Sequence, residues 1–125
     1  MQANVEKSEV MVVIPTYNEA DNLPKLVAEL LILGLPDLEI LIVDDNSPDG
    51  TGQVADDLAQ QHPDQVHVLH REGRLGLGTA YIAGFDYALA RGTDFVVQMD
   101  ADFSHSPSYI PQFLQNIEGY DVVIG

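Results

Sequence analysis

Apolar runs recur along this chain, too short to cross a membrane and too continuous for a half-exposed strand, with helical stretches between them. That alternation restricts the fold more than any other feature. Val10-Met11-Val12-Val13-Ile14 is the first run, apolar at every position and rich in β-branched residues, as suits a strand covered on both faces. Pro15, which lacks an N–H, is expected to end its ladder. Glu39-Ile40-Leu41-Ile42-Val43 reads as a second strand, Val66-His67-Val68-Leu69 as a third and Phe95-Val96-Val97-Gln98-Met99 as a fourth. Asp121-Val122-Val123-Ile124 begins a fifth. Between the first two, Leu23, Leu26, Val27, Leu30 and Leu31 fall at helical spacing. The spacing predicts a helix from Glu19 to about Leu33, with Asn18 as its N-cap and Gly34 and Pro36 as its stop. A second helix is expected over Thr51 to Gln61 and a third over Gly78 to Arg91, burying Ile82, Phe85 and Leu89 on one face. Ser108 to about Ile117 reads as a short fourth helix, capped by Ser106 with Pro107 at its first position. Strands alternating with helices imply an α/β fold: right-handed crossovers, a mostly parallel sheet with helices on both faces, and ligands beyond the carboxyl ends of the strands.

The 125 residues suffice for a single domain spanning 1–125, and 46% of them are apolar, enough to build a core. Twenty acidic residues against 5 basic ones give a formal charge of −15, which argues against a nucleic-acid partner. An acidic chain can still bind a phosphorylated ligand when a divalent cation stands between carboxylates and phosphates. With no cysteine, disulfides and thiolate metal sites are excluded. The N-terminus lacks the basic-then-apolar plan of a signal peptide, and no apolar run approaches the roughly 18 residues of a membrane span, so the chain reads as soluble.

Polar clusters follow the strands, where three loops can converge on one rim. Asp100-Ala101-Asp102 follows the fourth strand. Two carboxylates one residue apart can share a hard cation such as Mg²⁺ or Mn²⁺, or can simply form a solvated turn. Ser104 and His105 add polar groups, His105 as an orienting hydrogen-bonder rather than a ligand. Asp44-Asp45 follows the second strand, where one carboxylate can serve a nucleotide and the other a turn into the next helix, with Asp49 or Gly50 helping to start it. The spacing Asp45-x-Ser47-x-Asp49-Gly50 with Asp56 mimics a calcium loop, but a strand precedes it where an EF-hand needs a helix. Gly73-Arg74-Leu75-Gly76-Leu77-Gly78-Thr79-Ala80 satisfies neither the dinucleotide fingerprint nor a Walker loop. Arg71 and Arg74 there suit either a diphosphate or a surface salt bridge. In Pro15-Thr16-Tyr17-Asn18-Glu19, a ring and a carboxylate can receive a nucleobase, or can pack and complement the helix.

Taken in order, Val13-Ile14-Pro15-Thr16-Tyr17-Asn18-Glu19, Ile42-Val43-Asp44-Asp45-Asn46-Ser47-Pro48-Asp49-Gly50-Thr51, Gly76-Leu77-Gly78-Thr79-Ala80-Tyr81 and Gln98-Met99-Asp100-Ala101-Asp102-Phe103-Ser104-His105 resemble the family-2 glycosyltransferases of GT-A fold. Within them the chain is most similar to dolichyl- or polyprenyl-phosphate β-mannosyltransferases, over nearly its whole length. The resemblance implies a Rossmann-like GT-A fold, GDP-mannose as donor, a polyprenyl (dolichyl) phosphate as acceptor, and inversion at the anomeric carbon. It implies nucleotide contacts at Pro15, Tyr17, Glu19, Val43 and Asp45, and a diphosphate and metal motif at Asp100, Ala101 and Asp102 with Mg²⁺ or Mn²⁺. Arg74 stands where relatives often carry lysine, and Ser104 where they often carry glutamine, with a shorter reach. Relatives continue beyond the equivalent of Gly125, so the chain is expected to be a donor-binding portion truncated at its C-terminus, inactive alone, working in the cytoplasm at a membrane face. An anionic phosphate acceptor needs no general base; catalysis then rests on alignment and on neutralising the departing diphosphate. The competing readings are another nucleotide sugar or acceptor in the same family and a Mg²⁺-binding receiver domain. A receiver begins with the strand that carries its acidic pair, whereas here a strand and a helix come first; the lysines, Lys7 and Lys25, both precede the pair.

Overall fold

The computed structural model describes residues 10–34, 37–73, 76–99, 101 and 122–124. Among these, β1 (Val10–Thr16), β2 (Leu38–Asp44), β3 (Val66–His70), β4 (Phe95–Gln98) and β5 (Val122–Ile124) form one sheet paired in parallel throughout. Three helices, α1 (Leu23–Ile32), α2 (Thr51–Gln61) and α3 (Leu77–Ala90), connect the first four strands. The continuous apolar runs have a direct cause: alternate residues face two dry layers. Val10, Val12 and Ile14 with Ile40 and Ile42 pack against Leu23, Leu26, Val27 and Leu30 of α1 and Ala55 of α2. Met11, Val13, Leu41 and Val43 face the other way, toward Ala80 and Ala88 of α3.

The strand order is β3-β2-β1-β4-β5. The chain winds outward from β1 to β3, then returns to the far side of β1 to lay down β4. At such a reversal the loops on either side diverge and leave a crevice beyond the carboxyl ends of the strands, the usual ligand position in an open parallel sheet. β4 meets this point in register with β1, the Met99 N–H donating to the Val13 carbonyl at 3.0 Å.

Three local expectations are corrected. Pro15 does not end β1, which runs on to Thr16 opposite Asp44. The Val13 carbonyl accepts from β4's side and the Thr16 carbonyl from Asp45, so by alternation Pro15 turns its backbone toward β4, two residues past the last pair, Val13–Gln98. The first helix starts at Leu23, not Glu19, and its N-cap is Asn22; Asn18 instead has φ +59°. Among the described side chains of α3, Ala80, Gly84 and Ala88 are buried and Phe85 is half-buried against the same layer, as expected, whereas Ile82 and Leu89 are exposed. A Cβ on Gly84 would overlap Val13 Cγ1, so α3 sits too close to β1 for any side chain at that position. The expected Ser108–Ile117 helix lies outside the described residues.

Candidate active site

Because all the strands run the same way, the loops after β1, β2 and β3 and the residues following β4 share one rim. The first two are joined by side chains. Asp44, buried at the end of β2, accepts at Oδ1 from the Thr16 hydroxyl at 2.8 Å and the Ser47 hydroxyl at 2.7 Å, and at Oδ2 from the Ser47 N–H at 3.2 Å. Three successive amides of the β1 loop then find acceptors across the gap: Asn18 N–H on Ser47 Oγ at 3.0 Å, Glu19 N–H on Thr51 Oγ1 at 3.0 Å and Ala20 N–H on Asp49 Oδ2 at 3.2 Å. The left-handed turns at Asn18 (φ +59°) and Asn46 (φ +55°), tolerable for asparagine, belong to the loops this pairing joins. Asp49 Oδ1 also accepts from the Thr51 N–H at 3.0 Å and from the Thr51 hydroxyl. That hydroxyl, and three backbone amides besides, hold the Asp49 carboxyl below the usual aspartate value. Glu19 is oriented by Asn22, whose Nδ2 donates to Oε2 at 3.1 Å.

Asp45 faces a different partner. Arg71, the residue after β3, forks onto it with Nε–Oδ1 at 2.6 Å and Nη2–Oδ2 at 2.8 Å. The two side chains are 8% and 11% exposed, dry enough to make this a strong charge-assisted pair. The hydrogen bond to Asp45 raises the Arg71 pKa further. The same guanidinium donates from Nη1 to Thr79 Oγ1 at 3.0 Å and from Nη2 to the Gly76 carbonyl at 3.3 Å, reaching the start of α3.

Of the residues singled out from sequence, Pro15, Tyr17 and Glu19 follow one another along β1 and its loop, Val43 and Asp45 stand at the end of β2, and Ala101 is buried just past β4. They share the rim. Asp100, Asp102 and Arg74, with Ser104 and His105, lie outside the described residues. No cluster of three potential metal ligands occurs among the described residues. The calcium mimic dissolves: Asp45 is held by Arg71, Asp49 by Thr51 and Ala20, and Asp56 by His70 Nε2 at 2.7 Å. Sequence reasoning missed the Asp45–Arg71 fork and the loop-joining duty of Thr16, Ser47 and Thr51. Its available signal was a β2–α2 segment carrying more hydroxyls and carboxylates than one turn can use.

Glycosyl transferase family 2 matches residues 11–125, nearly the entire chain. The chain belongs to this family. Polyprenol monophosphomannose synthase from Mycolicibacterium smegmatis is 51% identical over 116 residues, covering 92% of this chain and 43% of the relative. Undecaprenyl-phosphate mannosyltransferase from Micrococcus luteus is 50% identical over 116 residues, covering 93% and 47%. The chain thus spans somewhat under half the length of these family-2 relatives. A mannosyltransferase from Pyrobaculum calidifontis, solved with GDP-Man and Mn²⁺, superposes with TM-score 0.64 and 31% identity over 81% of this chain and 30% of that one. Mannosyl-3-phosphoglycerate synthase from Rubrobacter xylanophilus gives 0.50 and 25% over 79% and 32%. The family-2 fold is therefore the Rossmann-like GT-A arrangement described above.

Proposed function

We propose that residues 1–125 form the donor-binding part of an inverting, metal-assisted glycosyltransferase that moves mannose from GDP-mannose to a polyprenyl (dolichyl) phosphate. The reading rests on Pro15, Tyr17, Glu19, Val43, Asp45 and Ala101 standing together at the carboxyl ends of the strands beside the point where the strand order reverses. Two half-identical relatives named for polyprenyl phosphate mannosylation support it. In it, Tyr17 offers a ring to the base, Asp45 and Glu19 accept hydrogen bonds from the nucleoside, and Asp100 and Asp102 hold Mg²⁺ or Mn²⁺. Ala101, between that pair in sequence, is 3% exposed and packs into the core, and an all-oxygen donor set on either side suits a hard cation. When bound, such a cation neutralises charge on the diphosphate, with Arg74 as a further cationic group. An acceptor phosphate oxygen forms the new bond to the anomeric carbon as the bond to the GDP oxygen breaks; GDP departs with that electron pair, and no proton need move. The protein's part is to hold attacker and leaving group in line and to exclude water. The acceptor places this work at the cytoplasmic face of a membrane, although no helix among the described residues is long and apolar enough to cross one.

The competing acceptor is a small phosphorylated metabolite, favoured by the Rubrobacter neighbour's name. Incubating the full-length protein with radiolabelled GDP-mannose, Mn²⁺ and either polyprenyl phosphate or 3-phosphoglycerate separates the two. The proposal predicts label in the organic phase only with the lipid. Label confined to the aqueous phase on 3-phosphoglycerate, or no transfer from GDP-mannose to the lipid, contradicts it.

A further inference from the structure

We propose that Arg71 is a positioning residue of the donor site, acting on the nucleotide through Asp45 by clasping that carboxylate and the start of α3 together. The inference rests on the donor-site reading above.

Arg71 is tied to its surroundings at both ends. Its backbone N–H donates to the Asp44 carbonyl at 2.8 Å, which fixes the exit of β3 against the exit of β2. At the other end, four of the five guanidinium N–H donors are engaged: two on Asp45, one on Thr79 and one on Gly76. Thr79 Oγ1 in turn donates to the Gly76 carbonyl at 2.8 Å, closing the first turn of α3 onto the same contact. A guanidinium so occupied has little left for a diphosphate. This decides the open question of what the first arginine of the glycine segment does: it serves the protein, not the phosphates.

The consequence falls on Asp45. A carboxylate has about four acceptor positions, and the fork takes the two that converge. Its outer positions remain for the ligand, on a carboxylate whose plane is fixed. A group bound there must donate, as a base N–H or a ribose hydroxyl does. An unclasped Asp45 side chain would turn about its own torsions, and each donor molecule would have to order it on binding. The clasp also links that carboxylate to the Gly76–Thr79 turn, so the two loops hold one relative position. Lysine cannot reproduce this, because an ammonium is a point charge without the planar fork.

The test is titration calorimetry of GDP with Mn²⁺ against the full-length protein and its Arg71→Met, Arg71→Lys, Asp45→Asn and Arg71→Met/Asp45→Asn variants, each with a thermal melt. The clasp predicts a Kd raised about tenfold or more in Arg71→Met, and a double variant no weaker than the weaker single, because an arginine that acts through Asp45 has no further effect once Asp45 is changed. Arg71→Lys should keep a near wild-type melt and still lose affinity, which keeps the test open if Arg71→Met does not fold. Wild-type affinity in Arg71→Lys, or losses that multiply in the double variant, would overturn the clasp while leaving the donor site standing. A wild-type protein that binds no GDP would overturn the donor-site reading and the clasp with it.

Discussion

Adjacent carboxylates at the end of β2 take on separate tasks because their side chains leave the strand in opposite directions. Asp44 turns toward Thr16 and Ser47 and Asp45 toward Arg71. Removing the Asp44 acceptor strands two hydroxyls and an amide, so Asp44→Ala should lower stability by about 3 kcal/mol in denaturant unfolding. Asp44→Asn should cost less, since both hydroxyls can rotate and accept from the new amide. Asp49 carries a pH signature. Its folded pKa lies below the ordinary 3.8, so its contribution is complete above that value and disappears as pH falls through the lowered one. The stability difference between wild type and Asp49→Asn should therefore be constant near neutrality and shrink on acidification below about pH 4, as read by thermal melts across pH. The structure gives Asp44 the turn; that the two carboxylates could take separate tasks was legible in the sequence. The Arg71 partner was not, because it comes from the pairing of His70 with Asp44 across β2 and β3, 26 residues away along the chain.

Among the elements, α3 shows how packing distance overrides hydrophobic spacing. Its contact with β1 runs through Ala80, Gly84 and Ala88, and the nearness of Val13 leaves room for nothing larger at Gly84. Gly84→Ala gains up to about 1 kcal/mol of helix propensity, yet the overlap should outweigh it and give a net loss of about 1–3 kcal/mol. Val13→Ala on top of it, which removes both overlapping methyls, should recover part of that loss; additivity in the double variant would refute the contact. A reading that looks for large apolar residues at i, i+3 and i+7 chooses Ile82, Phe85 and Leu89, of which Phe85 packs against the sheet layer and the other two point outward. The start of α1 was hidden for a related reason. Asn18 has a capping side chain, but its amide is held by Ser47 on another loop, and the helix begins only at Leu23. The strands were legible almost to the residue, because burial on both faces leaves an unbroken apolar run.

At the scale of the whole molecule, charge and topology constrain the proposed function jointly. A chain of formal charge −15 repels a nucleotide diphosphate unless something cationic intervenes, and Arg71 is committed to Asp45. The strand-order reversal beside β1 is where an open parallel sheet takes its ligand, and in the proposed function Asp100 and Asp102, which follow β4 in sequence, bring the cation. The order of motifs along the chain disclosed the fold and the rim. It could not disclose how the loops after β1, β2 and β3 are tied to one another, since those ties join residues 26 to 32 positions apart. The most direct measurement is calorimetry of GDP and UDP against the full-length protein, with and without Mn²⁺, repeated on Asp102→Ala. The account predicts Mn²⁺-dependent binding with GDP ahead of UDP, weakened at least about tenfold by the substitution. Equal affinity for the two nucleotides, or metal-dependent binding untouched in Asp102→Ala, would contradict it.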